Sequence, residues 1–290
     1  MPRPSATSSS VQAAKQSLRP AQRGLKTVLG PRKSLRLALA YDHAFSRFQY
    51  NIGPYRKEAR RLAALEGAYA SKRCFIIGNG PSLNKMDLAP LRDEYTFGLN
   101  RFYLAFDRLG FSTSFLLCAN RLLWEQFADE LIQQDSTKFA PWDEHERLGH
   151  PADTYFFRTT RRKVFRTDLP RTGLFEGSTV TFVAMQLAYY LGFRVAILIG
   201  VDHSFKSQGE AHKVVVAGDV DHDHFDPRYF AGGVRWQLPD LAGSERAYAG
   251  ARDAWEQDGR KILDATVGGK LTVFPKVEYK AVLEGRKFDR

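Results

Sequence analysis

The stretch Cys74-Phe-Ile-Ile-Gly-Asn-Gly-Pro-Ser-Leu83 decides the fold. Four apolar residues followed at once by Gly-Asn-Gly-Pro-Ser predict a buried strand that enters a tight turn. Gly78 and Gly80 allow positive φ and close approach of a ligand to the backbone, and Ser82 is a favourable helix N-cap. A strand, a glycine turn and a helix start together predict a phosphate site. The alternative is an ordinary strand-to-helix turn, since neither a Walker loop nor a three-glycine dinucleotide fingerprint is present.

From Lys72 onward, short apolar segments alternate with helical patterns, which predicts an α/β fold with a doubly wound, mostly parallel Rossmann-like sheet. The predicted strands are Cys74–Ile77, Tyr95–Leu99, Ser114–Cys118, Tyr155–Phe157, Val195–Ile199 and Lys261–Leu263. The predicted helices are Arg121–Gln134, Ser178–Leu191, with Ser178 as N-cap, and Gly243–Asp258. We expect a catalytic domain at 71–280 with irregular lid insertions near 136–176 and 203–242, and a tail at 281–290.

The basic charge of the chain is concentrated near its N-terminus. Residues 1–73 carry 15 Lys or Arg and three acidic residues, whereas the other 217 residues carry 28 basic and 29 acidic residues. This distribution argues against a nucleic-acid-binding domain. It predicts a basic leader at 1–70, disordered first and then forming amphipathic helices. The leader is either a peripheral anchor on an anionic membrane or a helical arm packed on the domain, with a transit peptide as a third interpretation.

The placement of the cysteines and the hydropathy of the sequence indicate the cellular compartment. Cys74 and Cys118 both lie in apolar runs, which indicates buried thiols in a reducing compartment. No run of 18 apolar residues and no secretion signal is present in the sequence. We therefore expect a cytoplasmic protein, peripheral on the inner face of the membrane if the leader is an anchor.

Polar residues follow the predicted strands. In an open parallel sheet, ligands bind beyond the carboxyl ends of the strands. Asparagine suits a base or a sugar because its amide both donates and accepts, although a single Asn after a strand is commonly a turn residue. The residues expected to bind a ligand at this edge are Gly78, Asn79, Gly80, Ser82, Asn100, Asn120, Gly177, Ser178, Thr179 and Asp202.

A second group is the acidic, histidine-containing run Asp219–Asp226. It is interpreted as a metal platform, as a solvated acidic loop, or as the site of a histidine general base tuned by carboxylates. Adjacent loop residues rarely bind one ion, and no His-Glu-x-x-His or EF-hand spacing is present. We select His224 as the catalytic base because the aromatic residues that follow it can form a pocket. The competing histidines are His203, His212 and His222.

Five blocks resemble, in the same order, the bacterial lipooligosaccharide sialyltransferases of glycosyltransferase family 42. They are Ile76–Leu83, Gly98–Tyr103, Leu117–Phe127, Gly177–Phe193 and Ile199–Asp202. The same blocks resemble the broader domain family named after an archaeal 6-hydroxymethylpterin diphosphokinase. The resemblance spans roughly 72–275 and leaves the leader outside.

The sialyltransferase resemblance implies a nucleotide-sugar donor linked to CMP, a surface-glycan acceptor, no metal or other cofactor, and inversion by direct displacement. It implies that Asn79 and Ser82 contact the donor phosphate and sugar, and that Asn100 and Asn120 contact the nucleotide or its ribose. It also implies that Ser178 and Thr179 contact the carboxylate or the sugar of the donor, and that His224 deprotonates the acceptor. The family also has a tyrosine just after the block that ends at Asp202. Here His203-Ser-Phe follows instead, so either another residue such as Lys206, Lys213 or Tyr229 stabilises the leaving phosphate, or the donor is a different one.

Two other functions remain open from the sequence. The first is a diphosphokinase of the 6-hydroxymethylpterin type, which needs ATP and Mg²⁺ and would use Asp219–Asp226 as its metal platform. The second is a nucleotide-binding assembly protein without catalytic activity, organised around the basic leader.

Overall fold

The computed structural model describes residues 33, 37–42, 44–207 and 209–285. Seven parallel strands form one sheet in the order β5-β4-β3-β2-β1-β6-β9, and a separate antiparallel pair joins β7 to β8. The strands are β1 Arg73–Ile77, β2 Thr96–Leu99, β3 Phe115–Leu117, β4 Thr137–Pro141, β5 Thr154–Phe157, β6 Val195–Ile199, β7 Val214–Val216, β8 Arg235–Gln237 and β9 Lys261–Asp264. The predicted doubly wound, mostly parallel α/β fold is confirmed.

The helices connect the strands and cover the two faces of the sheet. The α-helices are α1 Arg56–Ala63, α2 Phe106–Leu109, α3 Arg121–Ile132, α4 His145–Leu148, α5 Leu169–Thr172, α6 Val180–Tyr190, α7 Leu241–Gln257 and α8 Tyr279–Leu283. Short 3₁₀ helices lie at Pro81–Lys85, Ala89–Asp93, Asn100–Ala105 and Trp142–Glu144. None of the helices in the described ranges is both long and apolar enough to cross a membrane.

The sequence of β1 explains why both faces are covered. Successive side chains of a strand point to opposite faces, and here all four residues after Arg73 are apolar. Cys74 and Ile76 pack into one hydrophobic cluster, whereas Phe75 and Ile77 pack into the other. Helix α6 is buried along nearly its whole length in the first cluster. A strand buried on both faces is typical of the centre of a doubly wound sheet.

The chain order places a switch point beside β1. The first five strands extend the sheet in one direction, and β6 then returns to pair with the other edge of β1. The pairing runs from Arg73 opposite Val195 to Ile77 opposite Ile199. At such a point the two following loops diverge and leave a crevice above the strand ends.

Strand β4 was not predicted, because Lys138 and Pro141 interrupt its apolar pattern. The Lys138 side chain is only 2% exposed, and its ammonium group bonds Asp153 at 2.5 Å. Residues 137–157, inside the segment expected to be an insertion, therefore supply two strands of the main sheet. The other expected insertion, 203–242, contains the β7–β8 pair, which was also not predicted.

The leader is described only from residue 33 onward, so its first part, expected to be disordered at 1–20, lies outside the described residues. Residues 37–42 and 44–51, the N-terminal helical segment, are helical, and the helix stops before Gly53. At the other end, α8 crosses the expected boundary of the tail at 281, and 286–290 lie outside the described residues.

Candidate functional site

A cavity of about 920 Å³ lies beyond the carboxyl ends of the central strands. Its walls come from the segments after β1, β2, β3 and β6, from the start of α6, from the 203–242 segment and from the start of α7. The predicted site residues that line it are Gly78, Asn79, Gly80, Asn100, Asn120, Gly177, Ser178, Thr179, Asp202 and His224. Ser82 is the one predicted residue that does not line it. The rule for parallel sheets thus brings nearly the whole predicted set together.

The Gly78–Ser82 turn differs from its prediction. Neither Gly78 nor Gly80 has a positive φ, and the 3₁₀ helix is preceded by Gly80, so Ser82 is not its N-cap. The glycines are required by packing instead. A Cβ on Gly78 would lie 2.3 Å from the carbonyl oxygen of Gly200, and one on Gly80 would lie 1.4 Å from Oδ2 of Asp202.

The carboxylate of Asp202 takes the place where a phosphate was expected. Its Oδ2 accepts a hydrogen bond from the Ser82 hydroxyl at 3.0 Å and a long one from the Ser82 backbone N–H at 3.4 Å. Burial raises the pKa of Asp202, although the two Ser82 hydrogen bonds oppose that shift. A ligand phosphate at the same donors would have to displace this carboxylate.

Two asparagines of the cavity wall have buried, unpaired acceptors. Asn79 donates from Nδ2 to the Leu99 carbonyl at 3.1 Å, and Asn100 bonds the Tyr229 hydroxyl through its side chain. The Oδ1 atoms of Asn79 and Asn100 are both buried with no hydrogen-bond partner among the described residues. A buried unpaired oxygen costs about 1–3 kcal/mol, so a ligand N–H or O–H that donates to it would gain free energy.

Asn120 has a local role. Its Oδ1 accepts from the backbone N–H of Leu122 at 2.9 Å, which makes it the N-cap of α3. The bond occupies the acceptor that a nucleotide would use, although Asn120 itself lines the cavity.

The start of α6 is the part of the cavity with unusual backbone. Gly177 and Ser178 have successive positive φ values of 59° and 65°. The predicted N-cap Ser178 is wrong: Thr179 caps α6 by accepting from Thr181 N–H at 3.3 Å. Ser178 instead donates to Asp240, which caps α7. Two helix N-termini therefore meet at one wall, as a doubly wound sheet predicts.

The acidic loop is held together by its own carboxylates. Asp221 accepts from the backbone N–H groups of Asp223 and Phe230, at 2.8 and 2.9 Å. Asp223 in turn accepts from the N–H groups of Lys206 and Ser207 and from the Ser207 hydroxyl. Within the described ranges, no three His, Cys, Asp or Glu side chains are grouped so that they could hold a metal ion. The carboxylates of Asp221 and Asp223 are thus occupied by hydrogen bonds within the protein.

His224 lies in this loop with one nitrogen fixed. Its Nδ1 is 2.7 Å from Oδ2 of Asp221, and its ring stacks on Tyr229 with centroids 4.0 Å apart. Phe230 and Trp236 contact the ring edge-on. Burial tends to raise the pKa of Asp221, but the bonds from His224 and from two backbone N–H groups outweigh it and lower that pKa. An ionised Asp221 selects the tautomer with the proton on Nδ1, which leaves Nε2 as the basic nitrogen.

The competing histidines are placed differently. His203 lines the cavity and pairs with the exposed Glu245 at 2.9 Å. His212 also lines it and lies 3.3 Å from Asp240, but more than half of its side chain is exposed. His222 is exposed and does not line the cavity. Of the two lysines named for the leaving group, Lys206 and Lys213, neither lines the cavity, whereas Tyr229 does.

Sequence reasoning missed several residues of the wall. Trp236, which lies in the unpredicted strand β8, and Asp240, the N-cap of α7, both line the cavity. Arg246 lies one turn into α7. The spacing of Asp221 three residues before His224 was a usable signal for the base and its partner, because a turn brings such residues together.

Solved structures of other proteins are similar to this chain. In structure the chain is similar to the Maf glycosyltransferase of Magnetospirillum magneticum AMB-1, with a TM-score of 0.48 and 13% identity over 78% of this chain; the match spans only 39% of that longer protein. It is also similar to the sialyltransferase CstII of Campylobacter jejuni, solved with the substrate analogue cytidine-5'-monophosphate, with a TM-score of 0.43 and 15% identity over 72% of this chain and 85% of that one. No protein of curated function matches it in sequence.

The family profile of 6-hydroxymethylpterin diphosphokinase MptE-like proteins matches residues 46–208. That range holds the glycine turn, both unpaired asparagines and Asp202, and it ends before Asp221 and His224. Because it takes in more than half of the 290 residues, this chain belongs to the 6-hydroxymethylpterin diphosphokinase MptE-like family.

Proposed function

We propose that this protein is a glycosyltransferase in which His224 removes the proton from an acceptor hydroxyl that attacks a nucleotide-activated sugar. The observation that carries the proposal is the Asp221–His224 pair at the wall of a ligand-sized cavity. A base within hydrogen-bond reach of a nucleophile, itself oriented by a carboxylate, is the arrangement that activates hydroxyl groups in many enzymes.

The proposed reaction is a direct displacement. The acceptor hydroxyl donates a hydrogen bond to Nε2 of His224, its oxygen attacks the activated sugar carbon, and the bond from that carbon to the nucleotide phosphate breaks. The proton moves to Nε2, and the electron pair leaves with the phosphate. Asp221 stabilises the imidazolium that forms, because its carboxylate bonds Nδ1 and is ionised at neutral pH.

The asparagines support a nucleotide donor. The Oδ1 atoms of Asn79 and Asn100 are buried and unpaired, so a side-chain rotation that turns them into the cavity would let them accept a hydrogen bond from an exocyclic amine of a base or from a ribose hydroxyl. Cytosine has such an amine, which agrees with the CMP-linked donor that the sialyltransferase resemblance implies. No metal is required by this proposal.

The donor phosphate has a different place from the one expected. Since Asp202 already bonds Ser82, we place the phosphate at the N-terminus of α6, where Gly177–Thr179 line the cavity. The partial positive charge of a helix N-terminus stabilises an anion there. Arg246 lines the same cavity and supplies a full positive charge.

The family match favours one other function, transfer of diphosphate from ATP to a hydroxymethyl group. It needs the same kind of base, so the Asp221–His224 pair is compatible with both reactions. The two differ in nucleotide and metal. Asp221 and Asp223 accept hydrogen bonds from backbone N–H groups and from the Ser207 hydroxyl, and we therefore derive no metal-dependent step from them.

Measurements of nucleotide binding test which nucleotide the sugar donor carries. Thermal-shift measurements with CMP, UDP, GDP and ATP, each with and without Mg²⁺, should show stabilisation by CMP that does not need the metal, because a ligand of the native state raises its melting temperature. Stabilisation by ATP only with Mg²⁺, followed by AMP release, would favour the diphosphokinase and contradict the proposal.

Replacement of His224 tests the base. We expect His224→Gln to lower CMP release from a CMP-sugar by about 10²- to 10⁴-fold while CMP still stabilises the protein. Asp221→Asn should lose much of the same activity, since an amide does not stabilise the imidazolium. The matched control is His222→Gln, because His222 is exposed two residues away. Wild-type turnover in His224→Gln would show that His224 is not the base.

A further inference from the structure

An apolar stripe runs along the outside of the N-terminal helical segment and its end. Its members are large apolar side chains spaced three or four residues apart, which places them on one helix face. They are Leu37, Tyr41, Phe45, Phe48 and Ile52, with 53%, 64%, 40%, 47% and 72% of each residue exposed. They are five of the eleven large exposed apolar residues in the described part of the chain. Scattered exposed apolar residues are ordinary, but a contiguous stripe marks an interaction surface.

The other face of the same segment is polar and packs on the domain. Ser46 and Gln49 are 3% and 9% exposed. Asp42 accepts a hydrogen bond from Thr160 at 2.5 Å, and the Gln49 amide oxygen accepts a long one from the Tyr55 N–H at 3.4 Å. The amphipathic helix is therefore turned with its apolar face outward, because these polar contacts fix its rotation.

Basic side chains adjoin the end of the stripe. A groove of about 770 Å³ is lined by Ile52, Gly53, Pro54, Arg56, Lys57, Arg60, Arg61 and Ala64. Arg61 pairs with the buried Glu58, whereas Arg56, Lys57 and Arg60 are exposed and have no acidic partner within the described ranges. Ile52 belongs to both the stripe and the groove, so the two form one continuous surface.

We propose that this surface, the stripe together with the groove, binds an anionic lipid bilayer. Aromatic and aliphatic side chains enter the interfacial region, and the exposed cations bind lipid phosphates. Charge decides between a bilayer and a second copy of the chain. A symmetric dimer would bring two equally basic grooves together, whereas an anionic bilayer complements both the apolar stripe and the cations.

The surface is connected to the cavity through one segment of chain. Arg158 lies over the ring of Phe45 at 5.1 Å and Thr160 bonds Asp42, while Lys163–Phe165 line the cavity a few residues later. Binding to a bilayer would therefore hold the cavity near the membrane, where a lipid-linked acceptor is confined. The membrane proposal itself does not depend on the reaction catalysed in the cavity.

Vesicle co-sedimentation of the full chain tests the proposal. We compare vesicles of phosphatidylcholine with vesicles that also contain phosphatidylglycerol. The wild type should partition onto the anionic vesicles and release at high salt. Arg56→Gln with Arg60→Gln should weaken partitioning by about 25-fold, from roughly fivefold for each cation near the surface. Phe48→Ser with Ile52→Ser should weaken it by about tenfold or more, because apolar area no longer leaves water.

Matched controls replace exposed residues of the same kinds elsewhere. Val214→Ser with Val216→Ser removes exposed apolar groups from β7, and Lys270→Gln with Lys280→Gln removes two exposed cations. Both should bind vesicles as the wild type does. Melting temperatures close to that of the wild type check that each variant folds.

Three results would overturn the proposal. Equal partitioning onto neutral and anionic vesicles would remove the role of the cations. Wild-type partitioning in both test variants would assign any binding to other parts of the chain, such as the basic residues 1–32. A Phe48→Ser, Ile52→Ser variant that sediments as a monomer where the wild type is a dimer, with unchanged partitioning, would assign the stripe to a second copy of the chain.

Discussion

Two regions of the cavity wall use their polar groups in different ways. In the Gly78–Ser82 turn, the two glycines make room for Gly200 and Asp202, and Ser82 donates to Asp202. Apart from the unpaired Oδ1 of Asn79, the polar groups of the turn are thus largely occupied by contacts within the protein. In the 219–226 loop, Asp221 binds the backbone and one nitrogen of His224, and the second nitrogen of that ring remains for a ligand.

The difference shows what each sequence pattern encodes. The glycine turn is the more distinctive motif, yet its residues fix how closely β1 and β6 approach at the switch point. The acidic loop has no motif of comparable specificity, and it holds the candidate base in a defined tautomer. A distinctive motif can therefore mark packing, while an irregular segment beside it holds the group expected to do the chemistry.

The largest effect that tests this comparison is expected at the glycines. Gly78→Ala should destabilise the protein by about 3 kcal/mol, because the new Cβ meets the Gly200 backbone at 2.3 Å and cannot be accommodated without moving β6. Gly80→Ala should cost about 2 kcal/mol, since its Cβ meets mainly the Asp202 side chain. Free energies of unfolding from urea titration measure both.

Combining each glycine replacement with Asp202→Ala distinguishes the contacts that the two glycines make possible. In an Asp202→Ala background, Gly80→Ala should cost less than about 1 kcal/mol, whereas the cost of Gly78→Ala should stay the same. The reason is that Asp202→Ala removes the two nearest atoms that a Cβ on Gly80 would meet, leaving only the Gly200 carbonyl oxygen at 2.9 Å, whereas it leaves every atom that a Cβ on Gly78 would meet. If the losses of unfolding free energy in Gly80→Ala and Asp202→Ala simply add in the double variant, the missing Cβ of Gly80 makes room for a group other than Asp202.

A smaller effect is expected at Asn120. Like the polar groups of the glycine turn, its side-chain oxygen is already occupied by a contact within the protein. Asn120→Ala should destabilise the protein by about 1 kcal/mol, because the N–H of Leu122 loses its acceptor. Asn120→Asp keeps that acceptor and is the matched control. If Asn120→Asp keeps stability but loses the thermal shift given by a nucleotide, Asn120 contacts the ligand as well as the helix.

The sequence was sufficient for the parts of the fold that depend on apolar pattern. Strands such as β1 and β6 consist of consecutive apolar residues, and the edge rule then placed the polar residues after them in one cavity. It was insufficient for β4, because Lys138 is buried there with its charge paired to Asp153, and nothing local in the sequence shows this pairing. It was also insufficient for Asp202, because the turn that it fills is far away in sequence and only the three-dimensional contact shows that the site is taken.

The smallest effect we expect is an opposite pH dependence of stability for the two aspartates that represent the two regions. The pKa of Asp221 is lowered, so its ionised form stabilises the fold above the ordinary aspartate pKa of about 3.9, and this is lost as the pH falls through the lower folded value. The pKa of Asp202 is raised by burial, so its protonated form is favoured by folding below about 3.9, and that contribution is lost as the pH rises through the higher folded value.

The cost of Asp221→Asn should therefore grow as the pH rises toward about 3.9, whereas the cost of Asp202→Asn should shrink as the pH rises beyond it. Free energies of unfolding of the wild type and both variants across this acidic range measure the two slopes. Both variants carry a neutral amide at every pH, so each difference from the wild type reports the carboxyl that was replaced. Slopes of the same sign would mean that the two carboxylates share one kind of environment. The contrast between a saturated turn and a loop with an oriented base would then no longer hold.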